Sequence, residues 1–351
     1  MSSIIGRSDS PRVWVVLVNW NGWRDTIECL ESVFRLDYAN LRVLVCDNAS
    51  ADASIENIRR WAGGEMPFER PQCPLARLSW PPISKPVSCH VLRADEILDT
   101  SGTESSLVLV GTGGNLGFAA GNNVGIRIAL SDPDCAFVWL LNNDTVVEAD
   151  CLAQMVSTAI SDPSIGVTGS LNCYYSRPEI VQALGGGWFK YRTVRGGLYG
   201  HEIRRSELTP TLIRKAESSL DWVSGSSMLV SRNFLEQVGS MEERYFLYYE
   251  EIDWAQRSQG RFIHAFAHAA VLYHKAGSAT QEQCESEFAI FTLYRARFRL
   301  YRTFFPSWRP GCHLRTLFEC AFALIKGRRV RAKAIFAACV DDLRNSDCKG
   351  T

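Results

Sequence analysis

Several absences narrow the field before any motif is read. The chain of 351 residues carries no net charge, because 38 Lys and Arg balance 38 Asp and Glu. No global field steers it toward nucleic acid, and no nucleic-acid partner is expected. Its 12 cysteines include no C-x-x-C pair, so zinc-site spacing is missing, and a chain of this length folds without disulfide staples. Nothing approaches the roughly 20 consecutive apolar residues of a membrane-crossing helix. The opening stretch, MSSIIGRSDSPR, has no apolar core of signal-peptide length. These absences predict a cytoplasmic protein with free thiols.

What is present is a repeated pattern. Apolar residues make up 46% of the chain, enough for a full core. VWVVLV (13–18) is a β-branched run of the kind that is buried on both faces of a sheet. DTIECLESVFRL then places Ile27, Leu30, Val33 and Phe34 on one helical stripe. LRVLVCD repeats the strand and DASIENIRRWA the helix. Such alternation predicts a parallel sheet with crossover helices. Residues 63–99 hold six of the 13 prolines and read as an irregular surface excursion. The sheet resumes with SLVLVGT, a helix near GFAAGNNVGIRIAL, a strand over Phe137–Leu141 and a helix over Glu148–Ile160. The second half reads as mixed and partly antiparallel, with a glycine-dense, loop-rich wall between Gly185 and Gly200. From Ser286 onward the chain reads as helical.

Three apolar strands end on polar tips: Asn19–Asn21, Asp47–Asn48 and Asn142–Asp144. Asn and Asp are also ordinary turn residues, so one such tip decides nothing. Three at carboxyl ends point to a ligand, because open α/β sheets bind ligands beyond those ends. Asp144 is of the type that holds a hard divalent cation bridging phosphates. GTGGNLGFAAG is a decoy for a dinucleotide loop. Leu116 stands where the third glycine is required, and the segment reads as following the third strand rather than the first. Gly117 and Gly121 are expected to allow close packing there, with Asn115, Asn122 and Asn123 pointing at the ligand. Glu250, Glu251 and Asp253 form an acidic cluster after YFLYY. It reads either as a helix N-terminus favoured by the macrodipole or as a base whose pKa is lifted by burial and like charge.

VNWNG, CDNASAD, GNLGFAAGNNVGI, LLNNDTVV, VSGSSMLVSRNFLEQVG, FLYYEEIDW and VLYHKAGS, in that order, resemble family 2 glycosyltransferases, most closely the rhamnosyltransferase-like branch, over about 13–305. The resemblance implies an α/β GT-A fold: a Rossmann-like mixed sheet flanked by helices. It implies a catalytic domain over 1–285, with a nucleotide-binding half at about 13–150 and an acceptor half at about 151–285. A helical C-terminal region, 286–351, follows. The implied reaction is inverting transfer from a nucleoside-diphosphate sugar (dTDP-rhamnose or UDP-hexose) to a polysaccharide, cell-wall or lipid-linked glycan acceptor. Glu251 stands at the usual base position, with Glu250 and Asp253 beside it. Asn19, Asn21, Asp47, Asn48, Asn115, Gly117, Asn122 and Asn143 would line the nucleotide-sugar pocket. Asp144, His274 and Asn142 would serve the Mg²⁺ or Mn²⁺ site, although Asn142 stands where the family's D-x-D motif has its first Asp. That departure motivates an alternative, a catalytically decayed sugar-binding or scaffold protein. Lys275 and Arg257 read as aids to phosphate neutralisation or as plain surface charge.

In the tail, Phe291, Tyr294, Phe298, Tyr301 and Phe305 recur at helical spacing, with Arg295, Arg299 and Arg302 on one flank and Arg297 on the other. LFECAFALI and the basic KGRRVRAK follow. The pattern predicts an interfacial helix on an anionic membrane, at the inner face of the plasma membrane. Its rival is ordinary packing onto the catalytic domain.

Overall fold

The computed structural model describes residues 10–93, 105–275 and 286–347. Its centre is a ten-stranded sheet. Its first half comprises β1 (Arg12–Asn19), β2 (Leu41–Asp47), β3 (Cys89–Arg93), β4 (Leu107–Gly111) and β5 (Cys135–Asn142), all parallel and ordered β3-β4-β2-β1-β5. β6 (Thr145–Val147), β7 (Ile165–Tyr174), β8 (Val181–Leu184), β12 (Ser227–Ser231) and β13 (Ile263–His274) complete it. β12 runs antiparallel between β5 and β7, β13 lies parallel to β7, and β6 closes the far edge. The sheet therefore runs unbroken through both halves read from the sequence.

The strand tips fall side by side, because Asn19 pairs with Asp47 and Val18 with Asn142. Helices α1 (Trp23–Val33), α2 (Ser54–Gly63) and α4 (Cys151–Ile160) cover one face of the sheet. α3 (Gly117–Ser131), α6 (Arg232–Val238) and α7 (Glu250–Ser258) cover the other. The odd residues Val13, Val15 and Leu17 face the first layer, and Trp14 and Val16 the second. This is the alternation expected of a strand buried on both faces. Gly125 lets α3 lie flat on β1, since a Cβ there would sit 2.4 Å from Val16.

Some expectations need correction. The proline-rich excursion carries the edge strand β3, so the glycine-rich decoy follows the fourth strand. The turn at Asn143 and Asp144 is followed directly by β6, and the helix expected from Glu148 starts at Cys151. The glycine-dense wall is a small sheet of β9 (Gly186–Lys190), β10 (Arg195–Leu198) and β11 (Trp222–Val223), joined to the main body near α5 (Pro210–Ser219). Its glycines are required by strand proximity: a Cβ on Gly186 would meet the Trp222 carbonyl at 2.0 Å.

The tail forms α8 (Glu287–Phe304), α9 (Arg309–Ile325) and α10 (Arg329–Asp347). Here the interfacial reading of the aromatic stripe fails. Tyr294, Phe298 and Tyr301 are buried against α9, α10 and the β9–β10 hairpin. Phe305 stacks on Tyr191 with ring centroids 4.5 Å apart. Arg297, on the same side, pairs with Glu319 of α9 at 2.7 Å and donates to Tyr249 Oη at 3.1 Å. The stripe alternates with Arg because α8 packs through its aromatics onto protein.

Candidate active site

The polar tips close into one network. Asn19 donates to Asp47 Oδ2 at 2.6 Å and to Ser50 Oγ at 3.1 Å, and accepts from Thr26 and Asn143. Ser50 returns its backbone N–H and its hydroxyl to Asp47. Asp47 is thereby fixed and nearly closed off from solvent. Asn21 adopts a left-handed backbone, φ 52°, and accepts from the Ala51 N–H at 2.7 Å. Asn48 donates to the Gly117 carbonyl and accepts from Thr112, which ties β2 to the start of α3. Asn115 accepts from the Gly117 N–H.

Gly117 itself has φ +77°, and a Cβ there would fall 2.3 Å from the Phe246 carbonyl. That carbonyl accepts from the Phe118 N–H at 2.8 Å. Asn122 and Asn123 do not point at a ligand. Asn122 is buried and donates to the Phe118 carbonyl, while Asn123 exchanges two hydrogen bonds with the Met241 backbone. Asn122 thus closes a bond within α3, while Asn123 fastens α3 to the chain that leads into α7.

At the tip of β5 the three polar residues diverge. Asn143 turns back to Asn19 and Thr26. Asn142 and Asp144 face His274, at the end of β13: His274 Nε2 lies 3.0 Å from Asp144 Oδ1 and 3.2 Å from Asn142 Nδ2. Gln182 Oε1 holds the other imidazole nitrogen at 3.0 Å, which sets the ring's orientation as an outer partner of a metal ligand does. Burial alone would raise the Asp144 carboxyl, but His274, a backbone N–H and Lys275 together hold the group below the usual carboxylate range. One carboxylate and one imidazole, with the Asn142 amide beside them, suit a divalent cation such as Mn²⁺ that takes its remaining ligands from phosphate and water. Among the described residues no group of three His, Cys, Asp or Glu makes a closed protein cage.

Lys275 follows His274 but is not loose surface charge. It is partly buried and paired with Asp25 at 2.6 Å and with Glu28. Burial would depress its ammonium, yet Glu28 and Asp25 raise the pKa above the ordinary lysine value.

The acidic cluster sits at the start of α7, and its members separate by environment. Asp253 is held by Arg257 at 2.8 Å, and Arg257 also donates to the Val238 and Ser240 carbonyls. This pair is structural, so neither the Asp253 base role nor the Arg257 phosphate role is supported by the geometry. Glu250 is buried and its Oε2 has no hydrogen-bond partner. Burial and then the neighbouring Glu251 push its pKa well above the usual range. Glu251 is only partly buried, and desolvation lifts its pKa to about 6.

Glu251 reaches its place through a residue that the sequence reading quoted but did not single out. A Cβ on Gly225 would stand 2.3 Å from Glu251 Oε1. The next residue, Ser226, accepts the Asn142 N–H at 3.0 Å. One turn thus joins the carboxylate to the β5 tip. Tyr248 and Tyr249 precede α7 with φ of 71° and 70°; non-glycine residues in that region each cost on the order of 1–3 kcal/mol. The strain turns Glu250 and Glu251 toward the sheet ends. Gln182 and Gly225 had faint signals: a polar residue inside the apolar strand VQAL, and a glycine between serines in VSGSS.

No family model matches the chain. Its architecture is that of GT-A glycosyltransferases. A mannosyltransferase from Pyrobaculum calidifontis, solved with GDP-Man and Mn²⁺, superposes with a TM-score of 0.51 at 15% identity, covering 98% of this chain and 77% of that one. GalNAc-T7 with UDP, GalNAc and Mn²⁺ gives 0.51 at 13%, covering 87% and 51%. Among curated proteins, the low-salt glycan biosynthesis hexosyltransferase Agl10 of Haloferax volcanii is 27% identical over 200 residues, 56% of this chain and 61% of its own length. An N-acetylglucosaminyl-diphospho-decaprenol L-rhamnosyltransferase of Mycobacterium tuberculosis is 28% identical over 222 residues, 56% of this chain and 70% of that protein. The chain thus spans about three-fifths of the archaeal relative. Fold and relatives agree with the motif resemblance to family 2 glycosyltransferases.

Proposed function

We propose that the protein transfers a sugar, with inversion, from a nucleoside-diphosphate sugar to a hydroxyl of a lipid-linked glycan. The observation that carries this reading is the turn Gly225–Ser226. It sets a half-buried carboxylate with a pKa near 6 beside the Asn142–Asp144–His274 cluster. In the reaction Glu251 accepts the acceptor O–H proton. The acceptor oxygen bonds the anomeric carbon, and the C–O bond to the diphosphate breaks with its electron pair leaving on phosphate. Burial and the neighbouring Glu251 raise the Glu250 pKa, which disfavours a second negative charge beside the base. A base of pKa about 6 is ionised at neutral pH yet still able to accept a proton in the transition state.

Asp144 and His274, with Asn142 alongside, would hold Mg²⁺ or Mn²⁺, which supplies positive charge for the departing diphosphate. Asn19, Asn21, Asp47, Asn48, Asn115, Gly117 and Asn143 would shape the nucleotide pocket. Asp47 is held rigid by Asn19 and Ser50 to meet the base. A dTDP-rhamnose or UDP-hexose donor and a lipid-diphosphate acceptor are the finer reading, drawn from the mycobacterial relative's name.

Isothermal titration of dTDP and UDP with Mn²⁺ tests it. Asp144→Ala is expected to abolish the Mn²⁺-dependent part of the affinity while leaving the thermal transition cooperative. Affinity unchanged by the substitution would remove the cation role and leave Asp144 a turn residue.

A further inference from the structure

α9 is built inside out. Its buried residues are Cys312, Thr316, Cys320 and Ala323, a narrow stripe of small side chains. Its large apolar residues face outward: Leu314, Leu317, Phe318, Phe322, Leu324 and Ile325 are all about half exposed or more, with Ile325 at 81%. At 3.6 residues per turn these six span about 160° of the helix circumference, opposite the buried stripe. A helix facing water would carry polar residues there. Val330 and Phe336 of α10 extend the exposed apolar surface.

Cations border this face. A hollow of about 740 Å³ between the tail helices is lined by Phe318 and Phe322 together with Arg315, Lys326, Arg328 and Arg331. Lys326 lies over the Phe322 ring at 5.6 Å, its stem along the apolar face and its charge at the rim. Arg315 pairs with Glu319 and Lys333 with Glu287. Among the described residues, Lys326, Arg328, Arg329 and Arg331 have no carboxylate partner. In a chain of zero net charge, four unmatched cations beside an apolar face are a local excess that calls for an external anion. No described helix is long and apolar enough to cross a membrane.

We propose that the outer face of α9 docks flat on an anionic lipid bilayer. The six large apolar side chains enter the headgroup–acyl boundary, and Lys326, Arg328, Arg329 and Arg331 meet lipid phosphates. The interfacial element is α9, not the aromatic stripe of α8. A second hollow, lined by Tyr249 and Ile252 beside the acidic pair, shares Arg297, Arg315 and Glu319 with the first. The docked face thereby adjoins the Glu251 side of the molecule, where a lipid-anchored acceptor would have to arrive.

Co-sedimentation of the full chain with vesicles tests this independently of transfer. Vesicles of phosphatidylcholine containing phosphatidylglycerol are expected to pellet the protein, pure phosphatidylcholine much less, with binding weakening as salt rises. Changing Lys326, Arg328 and Arg331 to Gln should weaken binding about fivefold per charge, the equivalent of about 1 kcal/mol each. Leu317→Ser with Phe318→Ser, both on the surface, should abolish it. Neither set should change transfer to a short soluble acceptor or nucleoside-diphosphate affinity. Equal pelleting with both vesicle types, or none with either, overturns the proposal. So does a wild-type dimer in sedimentation velocity that Leu317→Ser and Phe318→Ser convert to monomer, which would assign the face to a second copy.

Discussion

Glu251 bears two opposed demands, and both can be measured. Its folded pKa of about 6 exceeds the model-peptide value of 4.5, so folding favours the protonated form. That stabilising contribution is complete below pH 4.5 and is lost as pH rises through 6, an effect on the order of 2 kcal/mol. Glu251→Gln should therefore raise the melting temperature at pH 8 and leave it nearly unchanged at pH 4. The same substitution should lower kcat by roughly 10²–10⁴, with nucleoside-diphosphate affinity preserved. In the wild type, kcat/KM should rise with pH through a limb near 6, as the base ionises. A variant that loses activity but gains no stability at pH 8 would mean the carboxylate is not desolvated. Gly225→Ala is the second test at this scale. Its Cβ would press on Glu251 Oε1 from 2.3 Å, and misplacing a reacting group by about 1 Å costs roughly 10² in rate. Activity should drop by that factor while Mn²⁺-dependent UDP or dTDP binding, measured by titration calorimetry, persists. At this scale the sequence disclosed residue types at strand ends but not which way they face. Asn122, Asn123 and Asp253 carry the right chemistry, yet Asn122 and Asp253 are taken up by partners four residues away on their own helices, Phe118 and Arg257. The partner of Asn123, the Met241 backbone, is far away in sequence and is set by how α3 packs.

Elements were legible where periodicity is strong. β1, β2 and β5 are apolar runs that close on a polar residue, β4 is an apolar run that closes on Gly111, and their helices carry clear stripes. β3 escaped notice because its five residues follow a proline-rich stretch and lie at the sheet edge, where only one neighbour fixes them. The tail was misjudged for a different reason. An aromatic stripe flanked by arginines is the same pattern whether the stripe meets lipid or protein, and only the burial of Tyr294 and Phe298 separates the two. Arg297 holds that arrangement. It pairs with Glu319 across α8 and α9 and touches Tyr249 ahead of α7. Arg297→Met should leave Glu319 without its buried partner and destabilise the protein by about 3 kcal/mol, read as a lower urea midpoint. Adding Glu319→Leu should recover most of the loss. If the single variant costs nothing, α8 is held by its aromatics alone.

For the whole molecule, ligand binding and folding are linked. A donor that binds only the folded chain raises stability by about 2.7 kcal/mol at a hundredfold excess over Kd, and Asp144 and His274 would hold the cation that accompanies it. Thermal melting in UDP or dTDP with Mn²⁺ should shift upward for the better donor nucleotide, and a chelator should cancel the shift. A shift that survives chelation would show nucleotide binding without the cation. The preferred nucleotide would also narrow the donor sugar, a choice that no residue pattern in β1 or β2 makes legible.

The hydrogen bond from the Phe118 N–H to the Phe246 carbonyl joins the first turn of α3 to the stretch of chain that bends through Tyr248 and Tyr249 into Glu251. Gly117 permits no side chain that could take the carbonyl's place. The Phe118 amide is therefore a built-in gauge of whether that connecting segment is seated. Its deuterium uptake should slow when nucleotide binds and quicken when the segment lifts. One backbone position would then report, in solution and without any label, how often the chain holds Glu251 in place.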